Sequence, residues 1–462
     1  MIEAACCKAD ITPPPGLPLS GFAFRENKSS THVDDPIRVR VLVLRYNSQF
    51  YLLASYELLG IGSQLNDLVL NLLNKEFTNY FIKGHCILSA VHNHSAPGTM
   101  NLVGESRPDS HYLHFIAKQT ITATRSAIKS LQPVQAFLAQ KEIVGLTYNR
   151  RAVLADGRVT MAIEPDGEVV ERGPVDNTLT LIQLKSQSGS AVAGIVHFPC
   201  HGIAVCTQGI THDVPGRIAQ EMEQLIGAPC LYLQGGAGDL NPTVVSSTHQ
   251  RLNEWSEAFH NQVEDLAKRL YPVPFESLIS KEIHLPIRFR ELPERDHVAS
   301  YVNILRKVAG GDVLSDDVQA ALRNIGMIIN LPPGALPDPQ KAAYFARTLI
   351  RCNENILKAI DSGGLNNQIS LRLTFWRIGK IHLIFIGAEL FALAGLFVRN
   401  LSPERFNLLV TYSGPVVGYI PDDDAMQKGG YEANYSWMFY GQPAPFAIGT
   451  LNQILETIKA EL

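Results

Sequence analysis

Cys86-Ile87-Leu88-Ser89-Ala90-Val91 is an apolar β-type run, and it opens directly into His92-Asn93-His94-Ser95-Ala96-Pro97-Gly98. A buried strand therefore ends in two imidazoles and a Pro-Gly breaker. Residues i and i+2 of a strand face the same side, so an extended backbone through Asn93 brings both rings to one point. That arrangement suits metal ligands or an acid/base pair. For His-x-His taken alone, one packed and one solvated histidine is an equally good reading.

Three more apolar runs end in the same manner. Ala191 to Phe198 leads into Pro199-Cys200-His201-Gly202, and Cys230 to Leu233 leads into Gln234-Gly235-Gly236-Ala237-Gly238-Asp239-Leu240-Asn241-Pro242. Ile381 to Ile386 reaches Gly387-Ala388-Glu389 and then a helix-like run from Leu390 to Leu396. In α/β folds the ligand crevice lies outside the strand ends, so His92, His94, His201, Asp239 and Glu389 are expected to converge. Two imidazoles and a carboxylate are donors that zinc takes in an open catalytic site, although manganese or iron would also accept them. The fold class expected is α/β, with a mixed β-sheet core flanked by helices, the metal site at strand ends and a helical insertion.

The chain has 462 residues, 46% hydrophobic and 18% charged, which is ample for a packed core. A formal net charge of -4 with no long basic block excludes nucleic acid as a natural partner. No apolar run reaches the length of a membrane span, and Met1 to Lys8 lacks the pattern of an export signal, so a soluble, cytoplasmic chain is expected. Seven scattered cysteines fit reduced thiols better than a disulfide framework.

Along the chain, Ile37 to Tyr46 and Tyr51 to Tyr56 read as a hairpin around Asn47-Ser48-Gln49. Helices are expected from Gln64 to Leu73, from His111 to Leu131 after a Pro108-Asp109-Ser110 cap, and from Arg217 to Ile226. The segment from about 294 to 361 reads as a helical insertion or cap broken by a turn at Leu331-Pro332-Pro333-Gly334. Thr211-His212-Asp213 reads either as support for a ligand histidine or as a helix start. His197 and His382 fall inside strands and read as packed, while Asn149-Arg150-Arg151 reads by default as surface. Gly235, Gly236 and Gly238 look like a phosphate loop only superficially, because no Lys-Ser/Thr follows.

Taken in order, His92-x-His94-Ser95-x-Pro97-Gly98, His201, Gly238-Asp239-Leu240-Asn241-Pro242, Gly387-x-Glu389 and Tyr419-Ile420 followed by Tyr431-Glu432 resemble the catalytic domain of the neutral ceramidases. An Asp10-Ile11-Thr12-Pro13 opening adds to the likeness. The resemblance implies a zinc site of one ion per chain with His92, His201 and Glu389 as ligands and Tyr419 as a fourth. It implies that His94, Arg150 and Tyr431 contact the scissile amide and stabilise its oxyanion. Where the family carries a serine in the Gly-Asp loop, this chain has Asn241, which cannot attack a carbonyl but can donate to an oxyanion. Attack would then fall to a metal-activated water, with His94 or Asp239 as base.

The expectation is a single ceramidase-like catalytic domain over 1–462, without the immunoglobulin-like β-sandwich domain that follows in the family. Its function would be zinc-dependent hydrolysis of an amide bond in a small-molecule or lipid-like N-acyl substrate, one smaller or more polar than ceramide being as good a fit. The alternatives are a metal- and ligand-binding protein without turnover, and a metal-dependent esterase. Oligomeric state has no signature in the sequence.

Overall fold

The computed structural model describes residues 1–78, 80–312, 315–329, 331 and 335–462, with the backbone alone of Lys83. The first part of the chain builds β1 (Glu3–Asp10), β2 (Arg38–Tyr46), β3 (Gln49–Tyr56), α1 (Ser63–Glu76), β4 (Phe81–Ala90), α2 (Ser110–Lys129) and β5 (Gln132–Glu142). It continues through β6 (Thr178–Ser186), β7 (Ala191–Phe198), α3 (Asp213–Ile226), β8 (Cys230–Gln234) and α4 (His249–Val263). These strands form one mixed sheet in the order β8-β7-β6-β5-β1-β2-β3-β4, with Tyr271–Val273 added beside β5. The pairs β7/β8 and β3/β4 are parallel and the others along this path antiparallel.

A second, four-stranded sheet follows, β9 (Leu278–Arg288), then β10 (Gln368–Ile378), β11 (Ile381–Ile386) and β12 (Phe406–Val410) in that order. Between β9 and β10 lie α5 (Arg295–Ala309), α6 (Asp316–Ile328) and α7 (Pro339–Asp361), and α8 (Ala392–Arg399) and α9 (Thr450–Glu461) complete the frame. Of the turn expected at Leu331-Pro332-Pro333-Gly334, residues 332–334 lie outside the described residues.

The expected mixed β-sheet core flanked by helices is present, built as two sheets stacked face to face. Leu42, Leu53, Leu231 and Leu233 of the larger meet Trp376, Leu383, Phe385 and Leu408 of the smaller in one buried cluster. Helices α1 and α2 cover one half of the outer face of the large sheet, α3 and α4 the other, while α8 and α9 cover the small sheet. The result is four layers, helix, sheet, sheet, helix. Strands buried on both faces read as unbroken apolar runs. Such runs do not say which sheet a strand joins.

Local chemistry explains the element ends. Asn47 and Ser48 both have positive φ, the two-residue turn that matches strand twist, so the hairpin starts its return at Gln49. Within the expected cap Pro108-Asp109-Ser110, it is Asp109 that accepts from Tyr112 N and caps α2. α3 begins at Asp213, four residues before the expected Arg217, and closes on left-handed Gly227. The helices α5 to α7 share a cluster of their own, with Leu305, Ile325, Phe345 and Leu349 buried and Met438 added from the C-terminal part. Among the described residues no helix is long and apolar enough to cross a membrane.

Candidate metal centre and its cavity

β4 ends at Ala90, and His92 stands two residues further on with φ 65°, in the left-handed region rather than extended. The rings of His92 and His94 nevertheless meet, with centroids 4.7 Å apart. A backbone kink delivers them, not the strand alternation expected from the sequence. Side chains other than glycine hold such a conformation only where their surroundings enforce it.

Here the enforcement comes from the loop after β7, which carries His201. Asn93 and Gly202 form a parallel bridge, with His94 N donating to Gly202 O at 2.9 Å and Gly202 N to His92 O at 3.3 Å. A Cβ on residue 202 would lie 2.9 Å from His92 O, so the approach needs glycine. Asn93 is fully buried and donates to Glu57 O and to Thr211 O. Asp213 accepts from Ala204 N and Val205 N, which fixes the strand of backbone beyond His201. Thr211-His212-Asp213 is thus both a helix start and a brace behind the histidine loops.

His92, His94 and His201 form the one group of three among the described residues whose ligand atoms all lie within 4.8 Å of one another. His92 donates from Nδ1 to Leu59 O at 2.9 Å, and His201 from Nδ1 to Ala237 O at 2.6 Å. Each anchor leaves an Nε2 lone pair facing inward. Glu389 Oε2 lies 3.3 Å from His92 Nε2 and 3.9 Å from His201 Nε2. His94 Nε2 stands 3.1 Å from His92 Nε2, but its Nδ1 rests against the Gly21 backbone with no hydrogen bond of normal geometry. Burial lowers the basicity of all three rings.

Glu389 arrives through a close fit of glycines. Gly238 N donates to Leu390 O at 2.8 Å, and a Cβ on Gly236 would come within 2.5 Å of Phe391 O. The Gly235-Gly236-x-Gly238 loop is thereby bare for packing against the segment that carries Glu389, not for phosphate. Glu389 and Tyr419 are partners in a short parallel pair, Glu389–Leu390 with Tyr419–Ile420.

Arg150 is buried, contrary to its default reading as surface. Its Nε bonds Glu432 Oε1 at 3.0 Å, its Nη2 donates to the Tyr419 hydroxyl at 3.1 Å, and Nη1 lies 3.4 Å from Asn241 Oδ1 and 3.5 Å from His201 Nε2. Burial works against this charge, and the Tyr419 oxygen and Glu432 carboxylate outweigh it. Burial and then the Glu389 charge push the Tyr419 and Tyr431 phenols far above their usual range.

Asp239 has a different setting. One oxygen accepts from Ala392 N at 2.7 Å, the other from the Asn149 amide at 2.5 Å, and its carbonyl accepts from Arg150 N. It braces the Arg150 loop against α8. Burial pushes its carboxyl from 3.8 up to about 7, against the pull of those donors. The folded chain therefore keeps a proton that the unfolded chain has lost, and this group's contribution to stability falls as pH rises from about 4 to about 7. Asp239→Asn removes the titration. Urea midpoints measured across that window are expected to drift in favour of the variant relative to wild type, and to run parallel above it.

A cavity of about 500 Å³ opens over the cluster. His92, His94, Arg150, Glu389, Tyr419 and Tyr431 form its polar end, and Phe22, Ile203, Ile328, Phe345 and Phe439 are among its apolar walls. Asp239 and Asn241 lie behind this surface rather than on it. Helices α6 and α7 thus supply part of the roof. His197 and His382, by contrast, are packed inside strands as expected, and all seven cysteines are free thiols.

Two further residues reach the site without a sequence signal having pointed to them. Tyr412 stacks on His92 with centroids 4.1 Å apart and donates to Glu389 Oε2 at 3.1 Å, while the Tyr440 hydroxyl bonds Glu389 Oε1. Tyr412 follows the end of β12, so the strand-end rule would have found it had tyrosine been counted among the candidate side chains.

Residues 3–232 match the family described as neutral/alkaline non-lysosomal ceramidase, N-terminal. The chain belongs to the neutral/alkaline ceramidase family. The fold of this ceramidase-family chain agrees with a crystal structure of neutral ceramidase from Pseudomonas aeruginosa, at 16% identity and a TM-score of 0.68, covering 99% of this chain and 73% of that one. A structure titled ceramidase complexed with C2 agrees equally, at 16% identity and a TM-score of 0.69, covering 99% and 74%. No curated protein matches the chain in sequence.

Proposed function

We propose that the chain is a metal-dependent hydrolase of an amide bond in an N-acyl substrate, ceramide-like or smaller. In this reading His92, His201 and Glu389 hold the ion and Tyr419 stands beside them as a fourth donor. The observation that carries it is the meeting of two carbonyl-anchored imidazoles with Glu389 Oε2 at the polar end of a cavity that also presents Arg150 and Tyr431. The donor set suits zinc, and membership of a ceramidase family supports an amide as the bond cleaved. Zinc in such a site polarises a carbonyl and brings the pKa of water toward neutrality.

The protein's own groups do the rest. His94 is unanchored at Nδ1 and held neutral by burial, so it can take a proton from attacking water and return it to the leaving amine. Arg150 and Tyr431 offer donors where charge develops on the carbonyl oxygen. Asn241 steadies Arg150 from behind, and Asp239 steadies the loop beneath it. The apolar wall receives the acyl group. Asn241 in the position of the family's serine favours a second reading, a metal- and ligand-binding protein without turnover.

One experiment separates them. Elemental analysis of the purified chain is combined with a panel of N-acyl amides and matched esters, before and after chelation and zinc return. About one metal ion per chain with zinc-restored amide cleavage is the expected result. Metal without cleavage supports the second reading, ester cleavage alone an esterase, and absence of stoichiometric metal overturns the hydrolase proposal.

A further inference from the structure

We propose that Tyr440 and Tyr412 are positioning residues that hold Glu389 by opposite oxygens, so that Oε2 alone is turned toward the imidazoles. This rests on the metal reading above. Tyr412 donates to Oε2 at 3.1 Å, and Tyr440 donates to Oε1. Oε2 is the oxygen that lies 3.3 Å from His92 Nε2 and 3.9 Å from His201 Nε2. Glu389 itself is fully buried, so no bulk water competes for either oxygen.

The two phenols are held from different parts of the fold. Tyr412 has φ 55°, and its carbonyl accepts from Ala90 N at the end of β4, the strand that leads to His92. Its ring lies on the His92 imidazole with an interplanar angle of 26°, so one side chain touches two of the groups assigned to the ion. Tyr440 follows the short helix Ser436–Phe439, whose Met438 packs with Cys352 of α7, and Phe439 O accepts from Val103 N at 2.8 Å. Tyr412 thus ties the carboxylate to the sheets and Tyr440 ties it to the helical cap.

A buried carboxylate with one oxygen free can rotate and offer either oxygen or both. A phenol hydrogen-bonded to Oε1 removes that freedom and fixes a single-oxygen donor. Partners of this kind behind a ligand typically change metal affinity by about 10–100-fold. Tyr440 also lines the cavity, whereas Tyr412 is wholly enclosed.

The test is zinc affinity of the full chain, read by competition with a chromogenic chelator, for wild type, Tyr440→Phe, Tyr412→Phe and Tyr344→Phe. Phenylalanine keeps each ring and removes only the hydroxyl, so packing and the stack on His92 survive, and thermal midpoints verify this. Tyr344 lines the same cavity and bonds Gly104 O, away from Glu389. The expected result is affinity weakened about tenfold or more in Tyr440→Phe and Tyr412→Phe, and unchanged in Tyr344→Phe. Wild-type affinity in both Tyr440→Phe and Tyr412→Phe overturns the clamp while leaving the metal reading intact. A wild-type chain that takes up no zinc overturns both.

Discussion

His92→Ala is expected to leave a folded chain without bound metal and with amide hydrolysis reduced by about three orders of magnitude or more. This ring has three engagements: Nδ1 on Leu59 O, its face on Tyr412, and Nε2 toward Glu389 and His94. Alanine removes all of them and leaves the Glu389 carboxylate in a pocket that has lost one polar neighbour. Because φ is 65° at this position, alanine keeps the backbone strain while losing the contacts that hold it. His92→Asn is the discriminating companion. Asparagine tolerates the left-handed region better and offers no donor at the Nε2 position. If it folds like wild type but carries no metal by elemental analysis, the loss belongs to the missing donor. Stoichiometric metal in both variants would place the ion elsewhere.

Arg150→Ala is expected to lower stability by about 3–5 kcal/mol, because it removes one of the two cations that neutralise a buried carboxylate. Glu432 has no exposed side-chain surface and bonds Arg150 at 3.0 Å and Arg151 at 2.6 Å. Burial alone would raise the Glu432 carboxyl, and the two guanidinium groups hold it below its ordinary value. The same substitution takes the donor from Tyr419 and the polar end of the cavity, so kcat/KM is expected to fall by about 100-fold or more. Denaturation midpoints and turnover, measured together, separate the two effects. Arg150→Lys keeps a charge near Glu432 without the planar fork, so most of the stability should return and most of the rate should not. Wild-type turnover in Arg150→Ala would remove Arg150 from the chemistry.

Much of this site is legible in the strand ends. The runs finishing at Ala90, Phe198, Gln234 and Ile386 are long, apolar and closed by Gly or Pro, which is where sequence pattern is strongest. His92, His94, His201 and Glu389 follow from those ends by a general rule of α/β sheets. Arg150 does not, because the partner that buries it lies 282 residues away, and a pair of arginines in a loop otherwise reads as solvated. Tyr419 and Tyr431 are legible through the family resemblance alone. The second sheet escaped for the reason that apolar runs carry no address. The left-handed turn at His92 escaped because it is set by the Asn93–Gly202 bridge, a contact between distant loops that no local pattern encodes.

That bridge bears on how an ion would come and go. In small zinc domains the metal assembles its own ligands, so binding and folding are one event and chelators unfold the chain. Here the two histidine loops are joined main chain to main chain, and each anchored ring is oriented by a carbonyl of the frame. If the site holds an ion, its release would leave the receptor standing. On the metal reading, exchange would then not require unfolding, and an emptied chain is expected to take up the ion again at ordinary temperature.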